Sequence, residues 1–261
     1  MKLEKISASH LKNISKLKIK KYRNILNEYL IESEKFLIEA LTSNAPIIEL
    51  YIVENKIDKL IAKYKEVKDF DGKVYILKES DFKKISNEKT PSGVGALVKK
   101  INYTLEDLTE TDVSNILFLY EIADPGNLGT IIRTADWFGF KNIILSTNTV
   151  ELTNPKVIKA SMGSIFHLRI VEETEPSYAL DYLRRKNFRI YSTSTKGKDL
   201  TTIEINKRFV LIFGNESKGI PQWMLDFSDE IISIPPKGKA ESLNVAISSA
   251  IILYEISKKI I

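Results

Sequence analysis

Residues 116–123, ILFLYEIA, are apolar on both alternations of a strand apart from Glu121, so a strand formed here must be covered on both faces. That cover is what a parallel sheet with helices on either side provides. The residues that follow agree. TIIRTADWF places Ile131, Ile132, Ala135 and Phe138 at helical spacing, Gly139 can stop the helix in a left-handed conformation, and KNIILS restarts a strand. Strand, helix and strand in that order make a βαβ unit. Further along, Asn154-Pro155 has the composition of a helix start, FRIYSTST and FVLIFG read as buried strands, and Asn244 to Ile256 reads as a last helix. That helix carries Val245, Ala246, Ile247, Ala250, Ile251, Ile252, Leu253 and Ile256 nearly all round. It needs cover on both sides, which a subunit interface would supply.

The first hundred residues show shorter elements. Tyr29 to Leu41 places Leu30, Phe36, Leu37, Ala40 and Leu41 near one stripe, with Glu32, Glu34 and Lys35 outside it, which predicts an amphipathic helix. IIELYIV and KVYIL are short strands bounded by Pro46, Asn55 and Asp71-Gly72, and helical spacing returns between them around Leu60 and Tyr64. These features predict a small α/β domain over 1–105, a linker around 103–112, and a larger α/β domain over 106–261.

Charge divides the chain at the same place. Residues 1–105 hold 21 Lys and Arg against 14 Asp and Glu, a net +7, which leaves −2 for the rest of a chain whose total is +5. No acid lies between Lys5 and Asn27, while Lys12, Lys16, Lys18, Lys20, Lys21 and Arg23 crowd together. Such a cluster is either a phosphate-binding surface or a solvated helix face, and spacing alone does not separate the two.

Several classes are disfavoured. No stretch approaches the roughly 20 apolar residues needed to cross a bilayer, and MKLEKISASHLKNISK lacks the apolar centre of a signal peptide, so a cytoplasmic location is expected. With no cysteine and only His10 and His167 as imidazoles, neither disulfides nor a structural or catalytic metal is expected.

Three segments carry candidate chemistry. In DPGNLGTIIRTADWFGF, residues 124–140, a turn rich in Pro and Gly opens a helix directly after a buried strand, where open α/β sheets bind ligands. The dinucleotide fingerprint G-x-G-x-x-G is absent, while Asn127 and Arg133 project from the turn and the helix it opens. The guanidinium could grip a phosphate or form a surface ion pair. In VLIFGNESKGIP, residues 210–221, the spacing from Gly214 to Gly219 imitates a P-loop, but Ile220 stands where the phosphate-binding lysine belongs. Glu216 sits on that tight loop, either stabilising the turn or accepting bonds from a neighbouring loop. In IPPKGKAESLNVAISSAIILYE, residues 234–255, Ser242 or Asn244 could cap the last helix.

In this order and spacing, N-x-x-x-x-x-R, G-x-E-x-x-G and S-L-N resemble the three motifs of the SpoU family of RNA ribose 2′-O-methyltransferases, in the SPOUT superfamily; the likeness spans about 113–261. The N-terminal region, with KKYRNILNEYLIESEKFLIEAL, resembles a substrate-binding domain often fused to it, akin to ribosomal proteins that bind RNA turns. Ser33 stands there where relatives often have Gly, and Pro236 replaces a residue that is often Met.

The resemblance implies a parallel-sheet domain tied in a trefoil knot, although chain threading is otherwise rare. It implies S-adenosylmethionine held by backbone around Thr193, Gly214, Ile234 and Leu243, and no metal. Arg133 is implied at the 2′-hydroxyl, as general base or as phosphate-orienting group, and Asn127, Glu216, Ser242 and Asn244 are implied to shape the catalytic loops by hydrogen bonding. RNA, in particular 23S ribosomal RNA, is the implied substrate, Lys12, Lys16, Lys18, Lys20, Lys21 and Arg23 its implied anchors, and a homodimer the implied assembly. The alternatives are a tRNA 2′-O-methyltransferase and a catalytically inactive RNA-binding or ribosome-assembly protein of the same fold.

Overall fold

The computed structural model describes residues 2–110 and 115–260. The chain divides into two compact units, one of residues up to 101 together with 153–158, the other of 102–152 and from 159 onward.

The smaller unit is built on a five-stranded sheet. Its strands are β1 (Lys2–Lys5), β2 (Glu28–Glu32), β3 (Ile47–Val53), β4 (Lys73–Leu77) and β5 (Val94–Lys99), ordered β1-β4-β3-β5-β2. β1 and β3 run parallel to β4, and β5 runs antiparallel to β3 and β2. Its helices are α1 (Ala8–Ser15), α2 (Lys20–Leu26), α3 (Glu34–Thr42), α4 (Ile57–Lys63), α5 (Lys65–Lys68) and α6 (Glu79–Ile85). Leu11, Ile14 and Leu17 pack with Tyr51, Leu77 and Phe82 in one apolar cluster.

Two expectations are corrected here. The stretch from Tyr29 to Leu41 is a strand followed by a helix, because Tyr29, Leu30 and Ile31 are all buried in pairing with β5, and three consecutive side chains cannot share one helical stripe. Ser33 separates the two at φ 118°, a region that favours glycine, and its hydroxyl caps α3 by accepting from the Phe36 amide at 3.2 Å. Arg23 is withdrawn from the basic surface: it is buried, and its guanidinium donates to the Leu17 carbonyl at 2.7 Å. Lys12, Lys18, Lys20 and Lys21 are exposed, while half-buried Lys16 donates to Asn13 at 2.9 Å.

The larger unit holds a six-stranded, wholly parallel sheet. Its strands are β6 (Asn115–Leu119), β7 (Asn142–Ser146), β8 (Arg169–Thr174), β9 (Arg189–Asp199), β10 (Phe209–Phe213) and β11 (Glu230–Ser233), ordered β11-β9-β10-β6-β7-β8. The helices from residue 105 onward are α7 (Leu105–Thr109), α8 (Pro125–Trp137), α9 (Pro155–Ser161), α10 (Pro176–Arg185), α11 (Gln222–Phe227) and α12 (Val245–Ser257), with α9 falling across the division between the units. Ile116 to Leu119 and Phe209 to Phe213 are fully buried, as strands covered on both faces must be. The chain winds outward from β6 through β7 to β8, then returns to the other side of β6. The sheet therefore has a switch point between β6 and β10, where doubly covered sheets open a crevice at their carboxyl ends.

The expected linker at 103–112 is also corrected. Thr104 and Asp107 form a capping box, with Thr104 N donating to Asp107 Oδ2 at 2.7 Å, and start α7, whose Leu105 and Leu108 enter the larger unit's core. Residues 111 and 112 of that linker lie outside the described residues. Among the described residues no helix is long and apolar enough to cross a membrane.

Candidate functional site

The switch point is where the three motifs meet. After β6 the chain turns at Glu121, φ 49°, and Asp124 caps α8 by accepting from Asn127 N at 2.8 Å, with Pro125 in the first turn. This capping aims the Asn127 side chain at the loop after β10. There Asn127 Nδ2 donates to Glu216 Oε1 at 3.0 Å, and the same carboxylate accepts from the backbone amides of Ala123 and Asp124, each at 3.1 Å. On its other side, Asn127 Oδ1 accepts from Asn244 Nδ2 at 3.0 Å. Asn244 Oδ1 in turn caps α12, accepting from Ala246 N at 2.9 Å and Ile247 N at 3.3 Å. One hydrogen-bond chain thus ties together residues from all three segments.

The protonation state of Glu216 follows from these bonds. Partial burial pushes its carboxyl up, but the bonds from Asn127 and from the amides of Ala123 and Asp124 outweigh it, and the net shift is downward. Glu216 is an ionised anchor at neutral pH rather than a proton donor.

Asn215, which the sequence reading passed over, holds the same loop from the other side. Its Nδ2 donates to the Glu121 carbonyl at 2.7 Å, and its Oδ1 accepts from Ser217 N and Lys218 N at 2.9 and 3.0 Å. An asparagine beside a glycine in a turn was the available signal. Gly214 is required by close approach: a Cβ there would lie 2.5 Å from the Gly219 carbonyl carbon.

Beside this network lies a cavity of about 780 Å³, within the usual range for small-molecule sites. Thr193, Gly214, Ile234 and Leu243 all line it, as does Ser242, whose hydroxyl has no hydrogen-bond partner among the described residues. Apolar Ile234, Leu243 and Ile252 could cover an adenine ring. The residues present therefore fit a nucleoside-type cofactor.

Arg133 is placed differently. It is exposed on α8, has no hydrogen bond or ion pair among the described residues, and does not line the cavity; nor does any other residue of α8. α8 and α12 lie side by side and parallel, joined at their starts by Asn127 and Asn244 and at their ends by the Phe138 and Tyr254 rings, 5.9 Å apart. Beside α8, α12 exposes Ile247, Ile251 and Tyr254, at helical spacing on one face. Among the described residues no cluster of three or more His, Cys, Asp or Glu could hold a metal; His10 bonds Glu49 at 2.8 Å and His167 bonds Asp136 at 2.6 Å.

A parallel sheet with its switch-point cavity and three hydrogen-bonded motif loops defines a class, and comparison with known families names it. Residues 114–254 match the SpoU rRNA Methylase family and residues 8–96 match the MRM3-like substrate binding domain. The chain belongs to the SpoU rRNA methylase family. A 23S rRNA (guanosine(2553)-2′-O)-methyltransferase, RlmP, of Bacillus subtilis is 32% identical over 97% of this chain and 98% of its own. The AdoMet-bound rRNA methyltransferase of Sinorhizobium meliloti superposes with a TM-score of 0.86 at 28% identity, covering 99% of both chains. A solved RNA 2′-O ribose methyltransferase gives 0.79 at 25% identity, again over 99% of both.

Proposed function

We propose that this protein transfers the methyl group of S-adenosylmethionine to a ribose 2′-hydroxyl of RNA, with 23S ribosomal RNA as the substrate. The observation that carries the reading is the Asn244–Asn127–Glu216 chain, which joins the three motif segments beside a cavity of fitting size in a member of this family. Thr193, Gly214, Ile234 and Leu243 would hold the cofactor, which supplies an electrophilic methyl group on a sulfonium when bound.

The chain's own residues then position the reaction. The asparagine–glutamate chain fixes the loops after β6, β10 and β11, so the cavity is preorganised before RNA arrives. Arg133, whose donors have no partner among the described residues, orients a phosphate beside the target ribose; an ordinary guanidinium, with a pKa above about 12, is a poor base. The 2′-hydroxyl is the group that separates RNA from DNA, so the reaction selects its polymer through the atom it modifies. Lys12, Lys16, Lys18, Lys20 and Lys21 of the smaller unit anchor the RNA backbone.

Because Arg133 lies away from the cavity of its own chain, the complete site is a homodimer joined through the α8–α12 face, each subunit's arginine serving the other's cavity. The exposed Ile247, Ile251 and Tyr254 support this assembly. The family resemblance supports the trefoil threading of the C-terminal chain, and ribosomal RNA as substrate supports a cytoplasmic location.

Incubating the protein with methyl-labelled S-adenosylmethionine and, in parallel reactions, 23S rRNA or bulk tRNA from a strain lacking it, then digesting to nucleosides, tests the reading. One labelled 2′-O-methylnucleoside is expected. Label only on tRNA would move the substrate to tRNA, and no label under cofactor-saturating conditions would favour an inactive RNA-binding protein.

A further inference from the structure

The larger unit presents a difficulty for a polyanionic substrate. Residues from 106 onward carry a net charge of −2, yet the ribose must reach a cavity lying wholly within this unit. Repulsion has to be offset locally. Two cations line the cavity, Lys218 on the loop after β10 and Lys237 on the loop after β11. Both are exposed, and neither side chain makes a hydrogen bond or ion pair among the described residues. The acids beside them form no ion pair with them among the described residues. Glu216 is held by Asn127 and two backbone amides, and Glu241, also lining the cavity, pairs with neither lysine.

Lys218 is a placed residue rather than a casual surface lysine. Its backbone amide donates to Asn215 Oδ1 at 3.0 Å, and the next amide, of Gly219, donates to the Asn215 carbonyl at 2.9 Å. Asn215 in turn is bonded to the carbonyl of Glu121 at the end of the β6 turn. The lysine's backbone is therefore fixed to the same frame as Glu216, at the lining of the cavity.

We propose that Lys218 and Lys237 bind the RNA phosphates flanking the target ribose, giving the catalytic unit its own grip on the substrate beside that of the smaller unit. This rests on the reading of the protein as an RNA methyltransferase. A carboxylate on a bound cofactor has the same chemistry of attraction, and the experiment separates the two sources.

The full-length protein carrying Lys218→Gln and Lys237→Gln is compared with wild type for binding 23S rRNA, taken from a strain lacking the protein, over graded potassium chloride. S-adenosylmethionine affinity is measured in parallel by calorimetry. Each lost phosphate contact makes the log-log salt slope shallower by about 0.7 on single strands, so a change of about 1.4 is expected, with cofactor affinity within twofold of wild type. The double Lys→Arg variant should retain the wild-type slope, which separates charge from loop damage. An unchanged slope in the glutamine variant overturns the proposal. So does a loss of cofactor affinity of tenfold or more, which would assign the lysines to the cofactor. Absence of methylation by wild type would instead count against the activity, leaving the salt comparison readable.

Discussion

Asn127 and Asn244 are 117 residues apart in the chain, yet Asn244 Nδ2 donates to Asn127 Oδ1 at 3.0 Å. The bond fastens the start of α12 to the start of α8, and through Asn127 to Glu216. Asn244 thus does two jobs with two atoms, its oxygen capping a helix and its nitrogen joining the motif loops.

The two jobs can be separated. Asn244→Asp keeps the capping oxygen, and asparagine and aspartate cap about equally well. It replaces the donor facing Asn127 with an acceptor. Methyl transfer should fall at least about tenfold, the equivalent of one lost hydrogen bond, while the melting temperature stays within a few degrees. Methyl transfer that stays at the wild-type rate would make the residue purely a cap.

Glu216 predicts an acid limit to stability. Its pKa is depressed in the folded protein, so its contribution is fully present above its ordinary value of 4.5 and is lost as pH falls through the lower, folded value. Glu216→Gln should cost about 1 kcal/mol at pH 7, kept small by solvent screening. Denaturant unfolding of the two proteins should converge below pH 4.5. A difference that stays constant down to pH 3 would contradict this.

The smaller unit divides its cations by burial. Lys12, Lys18, Lys20 and Lys21 changed together to Gln should make the salt dependence of RNA binding shallower by up to about 0.7 per contact, with stability unchanged. Arg23→Ala should lower stability by about 2 kcal/mol through the lost bond to Leu17 and the lost packing. Chemical denaturation and filter binding on the same preparations distinguish the two effects.

Ile251 lies midway along the exposed face of α12. Ile251→Glu should convert a dimer to a monomer in light scattering and remove methyl transfer while the fold survives. Mixing Arg133→Ala with Glu216→Ala protomers should restore part of the activity, since one site in the mixed dimer keeps both residues. A fully active monomer would contradict the shared site.

The larger unit was legible because its chemistry is local. Buried strands such as Phe209–Phe213 are unbroken apolar runs, Gly139 does end α8 with φ +80°, and the three motifs are short fixed patterns. The smaller unit misled where tertiary pairing overrode helical spacing. Leu30 fits the stripe of α3 in sequence, but Ser33 breaks the chain and β5 takes the strand. Arg23 shows the same limit, since a basic cluster does not reveal which member turns inward. Asn215 was missed because its partner, Glu121, lies 94 residues away.

Ribose methylation itself is tested most directly by sequencing 23S rRNA, with a method sensitive to 2′-O-methylation, from a deletion strain and from the same strain expressing wild-type or Arg133→Ala protein. One ribose should lose its methyl group in the deletion, regain it with wild type, and stay unmodified with Arg133→Ala, although the purified variant keeps most of its affinity for S-adenosylmethionine. Ribose-methylation profiles of 23S rRNA that are identical with and without the protein, or the loss of a base methyl group instead, would contradict it.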